Sequence, residues 1–324
     1  MKDGRIKGGR KMGEEISLNK GLVLHEKYLL HDTGDHPERK ERLVAIINFL
    51  EEGGLLTRLQ RMEARKASVN EVILNHTMDY ISTVKSFCEG GRGSLDPDTV
   101  VSEESYEVAL WAVGGVLEAI DGVLEGRCSS VFCAVRPPGH HALRNRAMGF
   151  CLFNNVAIGA KYARGKGVER VLIVDWDAHH GNGTQEAFYR DPTVFYFSTH
   201  QWPLYPGTGS FQEEGEGPGR GYTLNCPMPP RSGDEDFIRV YDREFLPRAK
   251  DFSPGLILIS AGYDGHKMDP LASLKLTTQG FAELTFRISD LSRETHTPVV
   301  GVLEGGYNLS ALAESVAATI EALP

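Results

Sequence analysis

The sequence predicts an α/β protein, a single domain with a central parallel sheet flanked by helices. Three observations carry that prediction. Short apolar runs rich in β-branched residues recur along the 324 residues. Most are nearly continuous rather than alternating, the pattern of strands covered on both faces. Longer amphipathic stretches separate them, as a layered α/β architecture requires. A chain of this length can fill one large α/β domain and bury an extensive core without disulfides or a structural metal.

The elements follow in chain order. Residues 1–20 are polar and Gly-rich, with six basic and three acidic residues. They lack an apolar h-region, so they read as a flexible arm rather than a secretory signal. Residues 21–324 then form the single folded domain. Residues 38–52 predict a helix behind Pro37, a good first-turn residue. Residues 102–125 predict a second helix and 131–135 a strand. Residues 154–164 predict a helix, 171–175 a strand and 194–197 another strand. The stretch 206–221 holds six glycines and three glutamates, too polar for a regular element. Long loops of that kind are often functional. Residues 234–248 predict a helix with Ser232 and Asp234 as candidate N-caps. Strands at 256–260 and 299–303 alternate with helices at 278–292 and 310–323.

Composition narrows the function. Lys and Arg number 35 against 44 Asp and Glu, a net charge of −9. That argues against a partner bound by phosphate neutralisation, so nucleic acid is not expected, and it mildly favours cationic partners. Five scattered cysteines with no CxxC pair exclude a disulfide scaffold and a cysteine zinc site. A reducing, cytoplasmic compartment is the expectation. No run approaches the ~18 apolar residues of a membrane span.

In open α/β sheets, ligands bind beyond the carboxyl ends of the strands. Four of the predicted strands end in unusual segments: Arg136 to His141, Asp175 to Gly183, Ala261 to His266, and Glu304 to Tyr307. Five of the eleven histidines fall in the first three. Asp175, Asp177 and His179 stand at i, i+2 and i+4. If strand geometry continues through them, all three face one side. Asp177 and His179 can chelate one ion, with Asp264 as the third ligand from another strand end. Two carboxylates and an imidazole leave a position open for water, as in catalytic zinc sites. Fe(II) or Co(II) suits the same donors. An Asp–His pair capping a helix is the competing arrangement. His140 and His141 follow Pro-Pro-Gly, where a turn can present both as base and proton donor. Asp175 and Asn182 are the groups available to orient them. Tyr307, after two glycines, could donate to a developing oxyanion.

Together these segments resemble the histone deacetylase family, in particular its class II-like members and prokaryotic amidohydrolase relatives. The matching stretches are 36–42 (HPERKER), 136–142 (RPPGHHA), 148–158 (MGFCLFNNVAI), 174–185 (VDWDAHHGNGTQ), 260–271 (SAGYDGHKMDPL) and 304–308 (EGGYN). The resemblance implies the arginase/deacetylase fold, with about eight parallel strands. It implies zinc-dependent hydrolysis of acetyl-lysine in proteins or peptides. Asp177, His179 and Asp264 match the zinc ligands, and His140 and His141 the histidine dyad. Asp175 and Asn182 match the groups behind the dyad, and Tyr307 the transition-state tyrosine. Gly149, Phe150, Tyr205 and Leu271 match substrate-tunnel positions. Asp96 and Asp98 are alternatives for a rim aspartate. The resemblance also implies one or two structural potassium ions. Asp175, Ser198 and Thr199 would serve the first, and Phe188, Asp191, Val194 and Tyr222 the second. Arg42 matches a buried arginine near an inner channel for acetate. The alternative substrate is a small acetylated amine, such as an acetylpolyamine. Relatives selective for polyamines place an acidic residue where this chain has Leu271.

Overall fold

The computed structural model describes residues 20–324, so the predicted arm lies outside the described residues except for Lys20. Lys20 is not part of an arm but the first residue of a strand. The strands are β1 (Lys20–Val23), β2 (Gln60–Met62), β3 (Gly93–Ser94), β4 (Val100–Val101), β5 (Ser130–Cys133) and β6 (Val171–Asp175), then β7 (Val194–Gln201), β8 (Thr223–Met228), β9 (Leu256–Ala261) and β10 (Val299–Leu303). The helices are α1 (Glu41–Glu52), α2 (Val69–Val72), α3 (Met78–Glu89), α4 (Ser105–Leu124) and α5 (Asn155–Gly165), then α6 (Asn182–Phe188), α7 (Asp234–Val240), α8 (Leu246–Phe252), α9 (Thr278–Thr295) and α10 (Leu309–Ala322).

Eight strands form one sheet in the order β2-β1-β5-β10-β9-β6-β7-β8. Every pairing in it is parallel. β3 and β4 form a separate antiparallel hairpin. Strands β5, β6, β9 and β10 are buried at every position. That requires cover on both faces, which explains their continuous apolar runs. On one side α1 packs on α10, α10 on α9, and α9 on α7 and α8. On the other, α4 packs against α3 and α5, and α5 against α6.

Several boundaries differ from the sequence reading, for physical reasons. The first helix begins at Glu41, not at residue 38. Glu38 turns inward instead to meet Arg42 and Arg136, so Pro37 precedes the helix rather than opening it. Neither Ser232 nor Asp234 caps α7. Gly233 is the N-cap, and its amide donates to Asp236 at 3.1 Å. Ser232 donates to the Pro229 carbonyl, and Asp234 accepts from Thr277. The single helix expected over 234–248 is broken by a wide turn at Tyr241–Phe245. Pro247 lies just beyond it, and a proline ring cannot follow a regular turn without meeting the carbonyl four residues back.

The sheet order has one consequence for function. The four strands with the unusual ends, β5, β10, β9 and β6, are consecutive neighbours at its centre. Their loops therefore meet at one edge.

Candidate active site

β6 ends at Asp175, so residues 176–181 do not continue as a strand. The i, i+2, i+4 expectation therefore holds only in part. Asp175 turns toward His140, with Oδ2 3.1 Å from Nδ1. Asp177 and His179 turn toward Asp264 at the end of β9. The ligand atoms of Asp177, His179 and Asp264 all lie within 4.8 Å of one another. His179 Nδ1 is 2.7 Å from Asp264 Oδ2 and 3.3 Å from Asp177 Oδ1. Backbone amides fix the carboxylates from behind. Gly305 N donates to Asp177 Oδ2 at 2.9 Å, and Ala178 N to Asp264 Oδ1 at 2.7 Å.

These donors fit a divalent cation. Two buried carboxylates face one imidazole, and among the described residues no Lys or Arg is paired to either. In the protein without metal, burial and then the Asp177 charge push Asp264 up to about 7. Burial alone would depress His179, but the Asp264 and Asp177 carboxylates hold it up at about 10. A bound cation would take the place of the His179 proton, because an imidazole binds a metal in its neutral form.

The dyad is built by two elements. Pro138-Gly139 turns the chain after β5, and the His140 and His141 rings lie 4.0 Å apart. Nδ1 of His141 meets Asn182 Oδ1 at 2.8 Å, at the first turn of α6. Burial would lower His140, but Asp175, Asp177 and Glu304 raise it to about 10. His141 moves the other way. Burial first, and then the charges on His140 and His179, push it well below its ordinary range.

One cavity of about 250 Å³ joins these groups. His140, His141, Asp177, His179 and Tyr307 line it together with Gly149, Phe150, Tyr205, Leu271 and Asp98. Tyr205 sets its ring edge-on to His141 at 5.3 Å, and Phe150 stands edge-on to Tyr307 at 5.8 Å. Burial raises the Tyr307 hydroxyl well above the usual tyrosine range, against the Arg42 charge. It therefore keeps its proton at neutral pH and can donate a hydrogen bond.

The structure separates Asp96 from Asp98. Asp98 reaches the cavity, and its Oδ1 is buried without a hydrogen-bond partner among the described residues. Asp96 instead accepts the amides of Asp98 and Thr99 at 3.1 and 2.8 Å, shaping the turn. Of the residues assigned to monovalent cations, Asp175 and Ser198 are register partners across β6 and β7. Ser198 Oγ is 2.9 Å from His200 Nδ1, and Thr199 Oγ1 is buried without a hydrogen-bond partner among the described residues. The Phe188 carbonyl accepts the Asp191 amide, and the Tyr222 carbonyl accepts that of Tyr196. Val194 opens β7. Arg42 is fully buried, with its guanidinium carbon 5.1 Å from the Tyr307 ring centre. It donates to the Gly306 and Glu304 carbonyls.

Sequence reasoning gave no role to Glu304. Its Oε2 accepts the Gly139 and His140 amides at 2.7 and 3.2 Å, and Oε1 accepts Ser260 Oγ at 3.2 Å. It pins the dyad turn of β5 to the ends of β9 and β10. A charged residue closing an apolar strand was the available signal.

Comparisons with known proteins agree with this geometry. The family model described as histone deacetylase domain matches residues 36–323. A probable deacetylase of Archaeoglobus fulgidus is 44% identical over 293 residues, covering 89% of this chain and 81% of that protein. A histone deacetylase-like amidohydrolase of Pseudomonas aeruginosa is 38% identical over 277 residues, covering 85% and 72%. The crystal structure of the HDA15 HD domain superposes with a TM-score of 0.90 at 36% identity, covering 94% of this chain and 88% of that one. With its all-parallel eight-stranded sheet and the residues gathered at its centre, the chain belongs to the histone deacetylase family.

Proposed function

We propose that this deacetylase-family hydrolase is zinc-dependent and removes acetyl groups from acetyl-lysine side chains of proteins or peptides. One observation carries the reading: a single cavity ends on the Asp177, His179 and Asp264 group with both histidines and Tyr307 on its walls. A zinc ion held there would polarise the amide carbonyl and lower the pKa of a water molecule to about 7.

The side chains supply the remaining work. Phe150 and Tyr205 flank the lysine methylenes and exclude water from the cavity. The Gly149 carbonyl accepts the substrate amide hydrogen. Asp98, on the cavity wall, accepts a backbone amide of the peptide. His141 is anchored at Nδ1 by Asn182, which leaves Nε2 to take a proton from the attacking water. The water oxygen bonds to the carbonyl carbon, and Tyr307 donates its hydroxyl to the carbonyl oxygen as charge builds there. One histidine of the pair returns that proton to the nitrogen as the C–N bond breaks, giving acetic acid and the lysine amine, which exchange the remaining proton to leave as acetate and lysine ammonium. His140, tied at Nδ1 to Asp175, is the second histidine available to pass that proton. Asp175 and Ser198, adjacent in the sheet, would hold a potassium ion beneath His140. The carbonyls near Phe188 and Tyr222 would hold a second.

A small acetylated amine is the second reading, because the Asp98 carboxylate on the cavity wall could meet a second ammonium group. Leu271 offers no charge for it. Acetate release from an acetyl-lysine peptide and from acetylputrescine, measured with zinc-loaded protein, tests both. The peptide should give the higher kcat/KM, and Tyr307→Phe should lower kcat by about 10²–10³. Preference for acetylputrescine would replace the substrate assignment. No release from any acetylated amine, or equal release by His141→Ala, would overturn the reading.

A further inference from the structure

The tunnel wall contains a conformation that its own sequence disfavours. Gly149 and Phe150 have φ of 56° and 68°. The Met148 carbonyl accepts the Cys151 amide at 3.0 Å, and the Cys151 carbonyl accepts the Met148 amide at 3.3 Å. Two central residues at positive φ inside such a closure are the signature of a type I′ turn. Glycine suits the first position. A Cβ there would sit 2.3 Å from the His141 ring. The second position ordinarily takes glycine or asparagine, yet it carries a phenylalanine. An L side chain at positive φ persists only when its surroundings hold it.

Two groups from distant segments supply that hold. The Phe150 amide donates to Thr99 Oγ1 at 3.1 Å. Thr99 is fully buried, in the turn of the β3–β4 hairpin, where its own amide is fixed by Asp96 and its carbonyl by Leu95. The His36 ring stands edge-on to Phe150 at 4.4 Å and 89°. The Glu38 amide donates to His36 Nδ1 at 3.0 Å, which leaves the Nε2 proton for the Asp98 carbonyl at 3.1 Å. His36 therefore bridges Phe150 to the same hairpin turn.

We infer that Thr99 and His36 are positioning residues that hold Phe150 in its left-handed conformation, setting both the aromatic wall and the direction of the Gly149 carbonyl. Neither needs to touch substrate. The consequence for acyl-lysine binding rests on the deacetylase reading above, whereas the conformational claim does not.

A double-mutant cycle tests it. Thr99→Val removes the acceptor at nearly constant volume, and Thr99→Ser keeps it. Thr99→Val should lower the melting temperature by a few degrees in the wild-type background. It should lower it by clearly less in a Phe150→Gly background, where the residue 150 amide still loses its acceptor but glycine needs no external hold for its positive φ. For an acetyl-lysine peptide, Thr99→Val should raise KM about tenfold, the scale of one hydrogen bond, with a smaller change in kcat. Thr99→Ser should restore both. Equal melting shifts in the two backgrounds, or failure of Thr99→Ser to rescue, would overturn the inference. If wild-type protein turns over no acetylated amine while the thermal coupling persists, the deacetylase reading falls and the positioning role stands.

Discussion

Glu38 shows how a single residue links the first loop to the site. Its carboxylate is fully buried, 2.5 Å from Arg136 Nε and 3.2 Å from the Arg42 guanidinium. Burial alone would raise it, but Arg136, then His31 and Arg42, hold it down at about 2 against an ordinary 4.5. His31 lies 3.5 Å away. Burial depresses it to about 4, so at neutral pH it is an uncharged neighbour rather than an ion-pair partner. The sign of the linkage follows. A carboxyl depressed in the folded state gives stability that is complete above its unfolded pKa and is lost as pH falls through the folded value. The window is pH 4.5 down to 2. A shift of that size is worth about 3 kcal/mol. Urea unfolding of wild type and Glu38→Gln should therefore differ most above pH 4.5, with the gap closing in acid. A gap independent of pH would show that the ion pairs are not its source.

At the scale of elements, Gly114 marks a close approach of two backbones. A Cβ there would lie 1.9 Å from the Arg65 carbonyl oxygen and 2.7 Å from the Ala67 amide. The Ala67 amide donates to the Leu110 carbonyl of α4, so the crossing segment lies directly on the helix backbone. Gly114→Ala must push that segment away. It should cost about 1–3 kcal/mol, the range for overpacking, despite the better helix propensity of alanine. Because the crossing is remote from the cavity, kcat/KM should remain at the wild-type value while the unfolding midpoint falls. Unchanged stability would mean that the segment moves freely. The same scale explains what the sequence revealed. β5, β6, β9 and β10 were legible because burial on both faces leaves continuous apolar runs. β1 and β2 are short, and β8 is an edge strand containing Asn225, Cys226 and Pro227, so their patterns carry little signal. The grouping of Asp177, His179 and Asp264 and the His140–His141 pair were legible as residues because they follow strand ends. Thr99 and His36 were not, because their contacts with Phe150 cross 51 and 114 residues of sequence and leave no local periodicity.

For the molecule as a whole, the net charge of −9 matters most where it is buried. Asp175, Asp177, Asp264 and Glu304 are each no more than 1% exposed and surround one site. The buried arginines nearby, Arg42 and Arg136, are directed at Glu38 instead. The fold thus gathers negative charge that only a bound cation, or protons, can balance, and a cation that binds the native state alone must stabilise it. At a free concentration one hundred times Kd the gain is about 2.7 kcal/mol. Treatment with a chelator should lower the melting temperature by several degrees, and added Zn²⁺ should restore it. Asp264→Asn discriminates this from general salt effects. It removes a buried charge, so the variant without metal should melt at or above wild type without metal, yet gain little from Zn²⁺. If Asp264→Asn responds to Zn²⁺ as fully as wild type, the cation sits elsewhere, and the convergence of Asp177, His179 and Asp264 has another cause.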